Sequence, residues 1–100
     1  RIDLVYAHND PGAHGAWLAA KEAGRQVEMK LIGIDALPHE GVRYVQEGVL
    51  DATFAYPTGG AEAIEVALKL LGGQKVDREI VLGTRRFTKD NVQRGGEAVD

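Results

Sequence analysis

Polar side chains close three apolar segments of this chain, in positions from which they could bind one ligand together. Asn9, Asp35 and Tyr56 each stand at the end of such a segment. In an open α/β sheet, ligands bind beyond the carboxyl ends of the strands, so we expect the three side chains on one rim. An amide donates and accepts, a carboxylate accepts from pairs of hydroxyls, and a phenol ring covers C–H groups. The triplet predicts a site for a polyhydroxylated ligand such as a sugar.

The residues around Asn9 have competing interpretations. Asp10 precedes a proline, which suits the first helical position, so we assign Asp10 to the helix cap and Asn9 to the ligand. His8 is a further candidate for ligand binding, with packing or a backbone hydrogen bond as its alternative. Asp35 could instead cap the turn that follows it, and Tyr56 could pack in the core.

Enzymatic chemistry has little support in the sequence. The chain has no serine and no cysteine, which excludes serine and cysteine nucleophiles, disulfides and thiolate metal sites. Asp10 and Asp35 could form a magnesium-binding pair, as in an α/β enzyme or a receiver domain, but no lysine or threonine stands at a matching strand end. His8, His14 and His39 lack metal-ligand spacing. We therefore expect that the protein is not an enzyme and that it binds no metal ion and no cofactor.

The composition of the chain limits which classes of protein and which partners remain to be considered. One hundred residues are enough for a single domain, and 44% hydrophobic with 27% charged residues is ordinary for a globular chain. The net charge of −3, without a basic stripe, argues against nucleic acid as a partner. Gly59-Gly60 matches neither the dinucleotide fingerprint nor the P-loop. No apolar run approaches the length of a membrane span.

Strands and helices alternate along the chain. The predicted strands are Ile2–Ala7, Met29–Ile34, Leu50–Ala55 and an edge strand at Ile80–Leu82, and the predicted helices begin at Asp10, Glu40 and Ala61. This order predicts an α/β fold with a doubly wound, mainly parallel sheet. The residues from Gln93 onward are expected to be frayed. Because Arg1 leads almost directly into a strand, we expect the chain to be part of a longer polypeptide.

Several segments together resemble a known family, the periplasmic sugar-binding proteins of the ribose and galactose type. The resemblance rests on residues 5–10 (VYAHND) with Gly15-Ala16, 32–35 (IGID), 48–53 (GVLDAT) and 89–92 (KDNV). The stretch Tyr56–Gly60 is most similar to a subgroup that includes sensor domains of membrane histidine kinases. Related folds occur in regulators of the lactose-repressor type.

The resemblance implies a fold of two α/β lobes joined by three crossovers, with sugar bound between the lobes. It implies that residues 1–56 form the C-terminal lobe, residues 57–80 carry a crossover helix of the other lobe, and residues 81–100 are a return segment. Asn9 and Asp35 then correspond to residues that hydrogen-bond the sugar. Tyr56 falls at the third crossover, where ribose binders usually carry glutamine, which suggests ring stacking.

The function that the resemblance implies is capture of a small sugar in the periplasm, as the solute-binding component of an ABC transporter. The alternatives are the ligand-sensing domain of a histidine kinase and the effector-binding domain of a lactose-repressor-type regulator. The expected partners are a sugar and a permease or kinase. The apolar face of the third helix consists of Ile64, Ala67, Leu68 and Leu71. If residues 57–80 are a crossover, the sheet on which this face would pack belongs to the other lobe and is not part of this chain. The helix should then dock on this chain's own three-stranded sheet, pair with a second copy by swapping, or rest on the missing parts of a longer protein. For the isolated fragment we expect self-association.

Overall fold

The computed structural model describes residues 1–99 and has an α/β architecture. The strands and helices are β1 (Leu4–Tyr6), α1 (Asp10–Glu22), β2 (Lys30–Asp35), a π-helical turn (Pro38–Val42) running into α2 (Arg43–Gln46), β3 (Ala52–Ala55), α3 (Gly60–Leu71), β4 (Thr84–Thr88), a 3-10 turn (Val92–Arg94) and β5 (Glu97–Val99).

The five strands form one mixed sheet in the order β1-β2-β3-β4-β5. The first three strands are parallel, with Val5 opposite Leu31 and Gly33 opposite Thr53. The last two strands are antiparallel to their neighbours. The predicted α/β class is thus confirmed. The carboxyl ends of β1, β2 and β3 meet at one edge of the sheet.

The core lies between the first two helices and the parallel strands. Helix α1 packs on β2, and its small residues Ala13 and Ala20 are buried there. The core cluster consists of Ala13, Leu31, Tyr44, Val45, Leu50 and Val92. Small side chains on α1 let the helix approach the sheet closely, which brings its first turn to the rim where the strands end.

The predicted edge strand at Ile80–Leu82 is wrong. Ile80 and Val81 are 48% and 84% exposed, and the fourth strand begins at Thr84 instead. The Thr84 hydroxyl donates to the Ala55 carbonyl oxygen at 2.5 Å, which ties the start of β4 to the end of β3. The apolar run at residues 80–82 has the composition of a strand, but the segment that pairs with β3 is the more polar Thr84–Thr88 that follows it.

The prediction of a frayed end from Gln93 is also wrong for the residues up to Val99. Residues 97–99 form β5 along β4, and Arg86 donates to the Glu97 carboxylate at 2.5 Å. The Arg85 guanidinium donates to the carbonyl oxygens of Gly95 and Gly96 at 2.8 and 3.0 Å. These arginines therefore hold the terminal hairpin, a role that their sequence pattern does not reveal.

Helix α3 stands apart from the core. It has no buried residue, and Ile64, Leu68 and Leu71 are 63%, 65% and 86% exposed. The radius of gyration is 17.4 Å, against about 13 Å for a compact chain of this length. The helix does not dock on the chain's own sheet, while the division at residues 56 and 80 stays a prediction. No helix within residues 1–99 has the length and apolar character needed to cross a membrane.

Candidate functional site

A hollow of about 370 Å³ lies at the rim where the parallel strands end. Its lining consists of Tyr6, His8, Ile34, Asp35 and Tyr56. The structure therefore brings together three of the predicted ligand-binding residues, from the ends of β1, β2 and β3. A volume of this order is within the range of small-molecule sites, which is roughly 300–1,000 Å³.

Sequence reasoning missed two lining residues, Ile34 and Tyr6, of which Tyr6 has an aromatic ring and a hydroxyl. Tyr6 precedes His8 by two positions, the spacing that puts strand side chains on one face, and this signal could have found it. The two rings lie 5.6 Å apart between centroids at a tilt of 60°. Together with the 70% exposed ring of Tyr56, they supply aromatic surfaces on which the C–H face of a ring-shaped ligand could pack.

Asn9, not Asp10, caps helix α1. The Asn9 side-chain oxygen accepts from the Gly12 backbone N–H at 2.8 Å, and the Asn9 backbone is extended at φ −150° and ψ 165°. The prediction that Asp10 caps the helix is therefore wrong. Asn9 is exposed but is not part of the lining of the hollow. The cap uses only its carbonyl oxygen, and a contact between Asn9 and ligand stays a prediction.

Asp35 ends β2 in an unusual backbone conformation. Its φ is 111°, and the φ of Ala36 is 53°, both on the positive side that residues other than glycine rarely adopt. Such positions cost on the order of 1–3 kcal/mol each and cluster at ligand-binding sites. The next helical turn begins after Leu37 with no side-chain cap. Asp35 therefore does not cap that turn, and its half-buried side chain lines the hollow.

Asp10 is a buried carboxylate with 0% exposure, hydrogen-bonded to the residue that follows Asp35. Its Oδ1 accepts from the Thr53 hydroxyl at 2.6 Å, and its Oδ2 accepts from the Ala36 backbone N–H at 2.8 Å. Gly33 and Gly41 make the space, because a Cβ there would stand 2.2 Å from Oδ1 and 1.9 Å from Oδ2. Sequence reasoning did not find this cluster; the glycines were its only local signal.

Burial raises the pKa of the Asp10 carboxyl above its ordinary value, since desolvation disfavours the charged form. The hydrogen bonds from Thr53 and Ala36 oppose that shift, and the negative charges of Asp35 and Glu40 add to it. With both oxygens held by protein donors, Asp10 is not an open ligand. The structure thus does not support the Asp10–Asp35 magnesium pair, and in residues 1–99 no three acidic or histidine side chains converge on a possible metal position.

Two curated proteins share much of this sequence. The ribose import binding protein of Salmonella typhimurium is 39% identical over 77 residues, which is 75% of this chain and 25% of that protein. A putative rhizopine-binding protein of Rhizobium meliloti is 39% identical over 94 residues, 91% of this chain and 30% of that protein. No family model matches the chain.

Solved structures share the fold over nearly the whole chain. The fructose-binding periplasmic domain of a hybrid two-component system superposes with a TM-score of 0.87 at 44% identity, covering 95% of this chain and 32% of that one. An ABC transporter periplasmic solute-binding protein from Actinobacillus succinogenes 130z, with bound D-allose, gives 0.81 at 26% identity, covering 92% and 32%.

The fold is that of a type I periplasmic binding protein. The resemblance predicted from the sequence is confirmed: this chain is homologous to part of the periplasmic sugar-binding proteins of the ribose and galactose type. It spans 25% and 30% of the two curated relatives and about a third of the solved structures.

Proposed function

We propose that this chain supplies one side of a cleft that binds a small sugar in the periplasm and releases it chemically unchanged. The observation that carries the proposal is the rim hollow, where His8, Asp35 and Tyr56 converge from three neighbouring strand ends. A carboxylate, an imidazole and exposed phenol rings suit hydroxyl groups and the apolar face of a sugar ring. The sequence offers no serine or cysteine nucleophile beside them.

Each side chain has a distinct part in this proposal. Asp35 accepts hydrogen bonds from two adjacent hydroxyl groups of the sugar. His8 forms a hydrogen bond with a third hydroxyl group. Tyr56 precedes Pro57, which restricts its backbone to extended conformations and so fixes the ring at the end of β3. Asn9 offers its amide N–H groups from the capped turn of α1. Ribose, fructose and D-allose appear in the names of the relatives and solved structures, and this supports a monosaccharide.

We propose the ABC transporter as the setting, with a membrane permease as the partner that receives the loaded protein. The second candidate is the periplasmic sensor domain of a histidine kinase, which the 44% identity to the domain of a hybrid two-component system favours. The sequence that follows this segment in its gene distinguishes them, because a sensor continues into a transmembrane helix and a kinase. A DNA-binding helix-turn-helix encoded upstream would instead indicate a regulator.

The test of sugar binding is calorimetry on the full-length protein that contains this chain, against a panel of pentoses, hexoses and cyclic polyols. We expect saturable binding of at least one sugar, and no change in melting temperature on adding magnesium or a chelator. Absence of binding to every sugar and polyol in the panel would refute the proposal. A melting temperature that responds to magnesium would instead support the metal-dependent alternative.

We propose further that the apolar stripe of α3, with Ile64, Leu68 and Leu71, is covered by the other lobe of the longer protein. The 100-residue chain alone should then self-associate, since each large apolar side chain gains roughly 1.5–3 kcal/mol on burial. Sedimentation equilibrium should show at least a tenfold weaker association for Leu68→Glu. The matched control is Leu70→Glu, at a residue 56% exposed but turned away from the stripe. A monomeric wild-type chain would contradict this arrangement.

A further inference from the structure

The buried carboxylate of Asp10 ties together the three segments that form the rim. It stands in the first turn of α1, immediately after the capping residue Asn9. Its Oδ1 accepts from Thr53 in β3 at 2.6 Å, and its Oδ2 accepts from the Ala36 N–H beyond β2 at 2.8 Å. One side chain therefore links the carboxyl-end region of the sheet to the start of the helix.

The bond to Ala36 acts on the backbone that carries Asp35. Positive φ angles at Asp35 and Ala36, 111° and 53°, turn the chain sharply at the end of β2. Residues with a Cβ avoid this region unless surrounding contacts hold them there. The Ala36 N–H points to the interior at Asp10, and the Asp35 side chain points to the hollow. The direction of one is coupled to the direction of the other through a single peptide unit.

Two glycines border the buried carboxylate closely. A Cβ on Gly33, in β2, would stand 2.2 Å from Oδ1, and a Cβ on Gly41, in the π-helical turn, would stand 1.9 Å from Oδ2, so neither position has room for a Cβ. Close packing at two glycines restricts the movement of the carboxylate. The acceptor presented to Ala36 is therefore rigid, as a group that positions another must be.

We propose that Asp10 is a positioning residue for ligand binding, which sets the orientation of the Asp35 carboxylate in the rim hollow by holding the Ala36 N–H. This inference rests on the proposed sugar-binding function of that hollow. A positioning role differs from the role of an ordinary buried polar residue in one respect. Loss of the hydrogen bond between Asp10 and Ala36 should weaken ligand binding by more than the loss of stability explains.

Three substitutions in the full-length protein separate positioning from stability. Asp10→Ala removes the acceptor for Ala36 and should weaken sugar affinity at least tenfold. Asp10→Asn keeps an oxygen for the Ala36 N–H and can donate its amide to Thr53, so affinity should stay within about threefold of wild type. Thr53→Val removes only the bond to Oδ1; it should lower the melting temperature yet also keep affinity within about threefold. Equal affinity losses for Asp10→Ala and Thr53→Val would overturn the proposal.

A double-mutant cycle tests the route through Asp35. If Asp10 acts by orienting that carboxylate, Asp10→Ala should cost less than about threefold in affinity when Asp35→Asn is already present. Additive losses would contradict the proposal. Replacing Ala36 by lactic acid deletes only the N–H donor and leaves Asp10 in place, so it should reproduce the Asp10→Ala loss even where Asp10→Ala does not fold. Unchanged affinity in this ester variant would overturn the proposal.

Hydrogen exchange distinguishes failure of this inference from failure of the proposed function, because it needs no ligand. In the full-length protein the Ala36 amide should exchange slowly in wild type, Asp10→Asn and Thr53→Val, and at least tenfold faster in Asp10→Ala. Slow exchange in Asp10→Ala would overturn the positioning role even if sugar binds. A protein that binds no sugar but shows the expected exchange pattern would refute the proposed function and leave the link between Asp10 and Ala36 standing.

Discussion

Replacing Gly41 with alanine should destabilise the protein by about 3 kcal/mol or more, at the upper end of what overpacking a core costs. The added Cβ would stand 1.9 Å from the Asp10 Oδ2 and 2.3 Å from its Cγ. The carboxylate is closely packed at a second glycine as well, because a Cβ on Gly33 would stand 2.2 Å from its Oδ1. Displacing it would also leave the Ala36 N–H and the Thr53 hydroxyl without their buried acceptor. Urea unfolding followed by circular dichroism measures this loss.

The matched control for this change is Gly15→Ala. Gly15 is exposed on α1, and a Cβ there would meet nothing within 4 Å. Alanine in an exposed helix interior is favoured over glycine by about 1 kcal/mol, so this variant should be as stable as wild type or more so. If Gly41→Ala unfolds at the same urea concentration as Gly15→Ala, the tight packing around Asp10 is wrong.

Asp35→Asn should weaken sugar binding by the full-length protein about tenfold to a hundredfold, the equivalent of a charged hydrogen bond worth about 1.5–3 kcal/mol. An amide is uncharged and has one accepting oxygen, so it cannot offer a separate oxygen to each of two adjacent hydroxyls as a carboxylate can. Asparagine tolerates positive φ at least as well as aspartate does, so the turn at φ 111° should survive. Calorimetry with the preferred sugar measures the change, and the melting temperature reports on the fold.

The control for Asp35 is Asp3→Asn, the same chemical change before β1 at the opposite end of the strands. The Asp3 side chain is 69% exposed and pairs only with Arg1 at 2.7 Å, so the substitution should leave affinity unchanged. Unaltered affinity in Asp35→Asn, or equal losses in both variants, would place the ligand elsewhere.

Much of this protein can be predicted from local sequence. Alternation of apolar runs with helix signals, such as Pro11 after Asp10, indicates β-α units, and parallel strands place their carboxyl ends at one edge. From that geometry Asp35 and Tyr56 were predicted on one rim, and the structure places both in the same hollow. These predictions succeed because they depend on residues adjacent in sequence and on a regular sheet geometry.

The tertiary structure alone decided between Asn9 and Asp10. Both residue types cap helices well, and the choice depends on Ala36 and Thr53, whose donors lie 26 and 43 residues away from Asp10. The fourth strand was likewise placed by its pairing with β3 and not by the apolar run at Ile80–Leu82. The local sequence pattern indicates which secondary structure a segment can form. The position of a buried carboxylate or of an edge strand depends on partners distant along the chain, and the periodicity of the segment itself does not identify those partners.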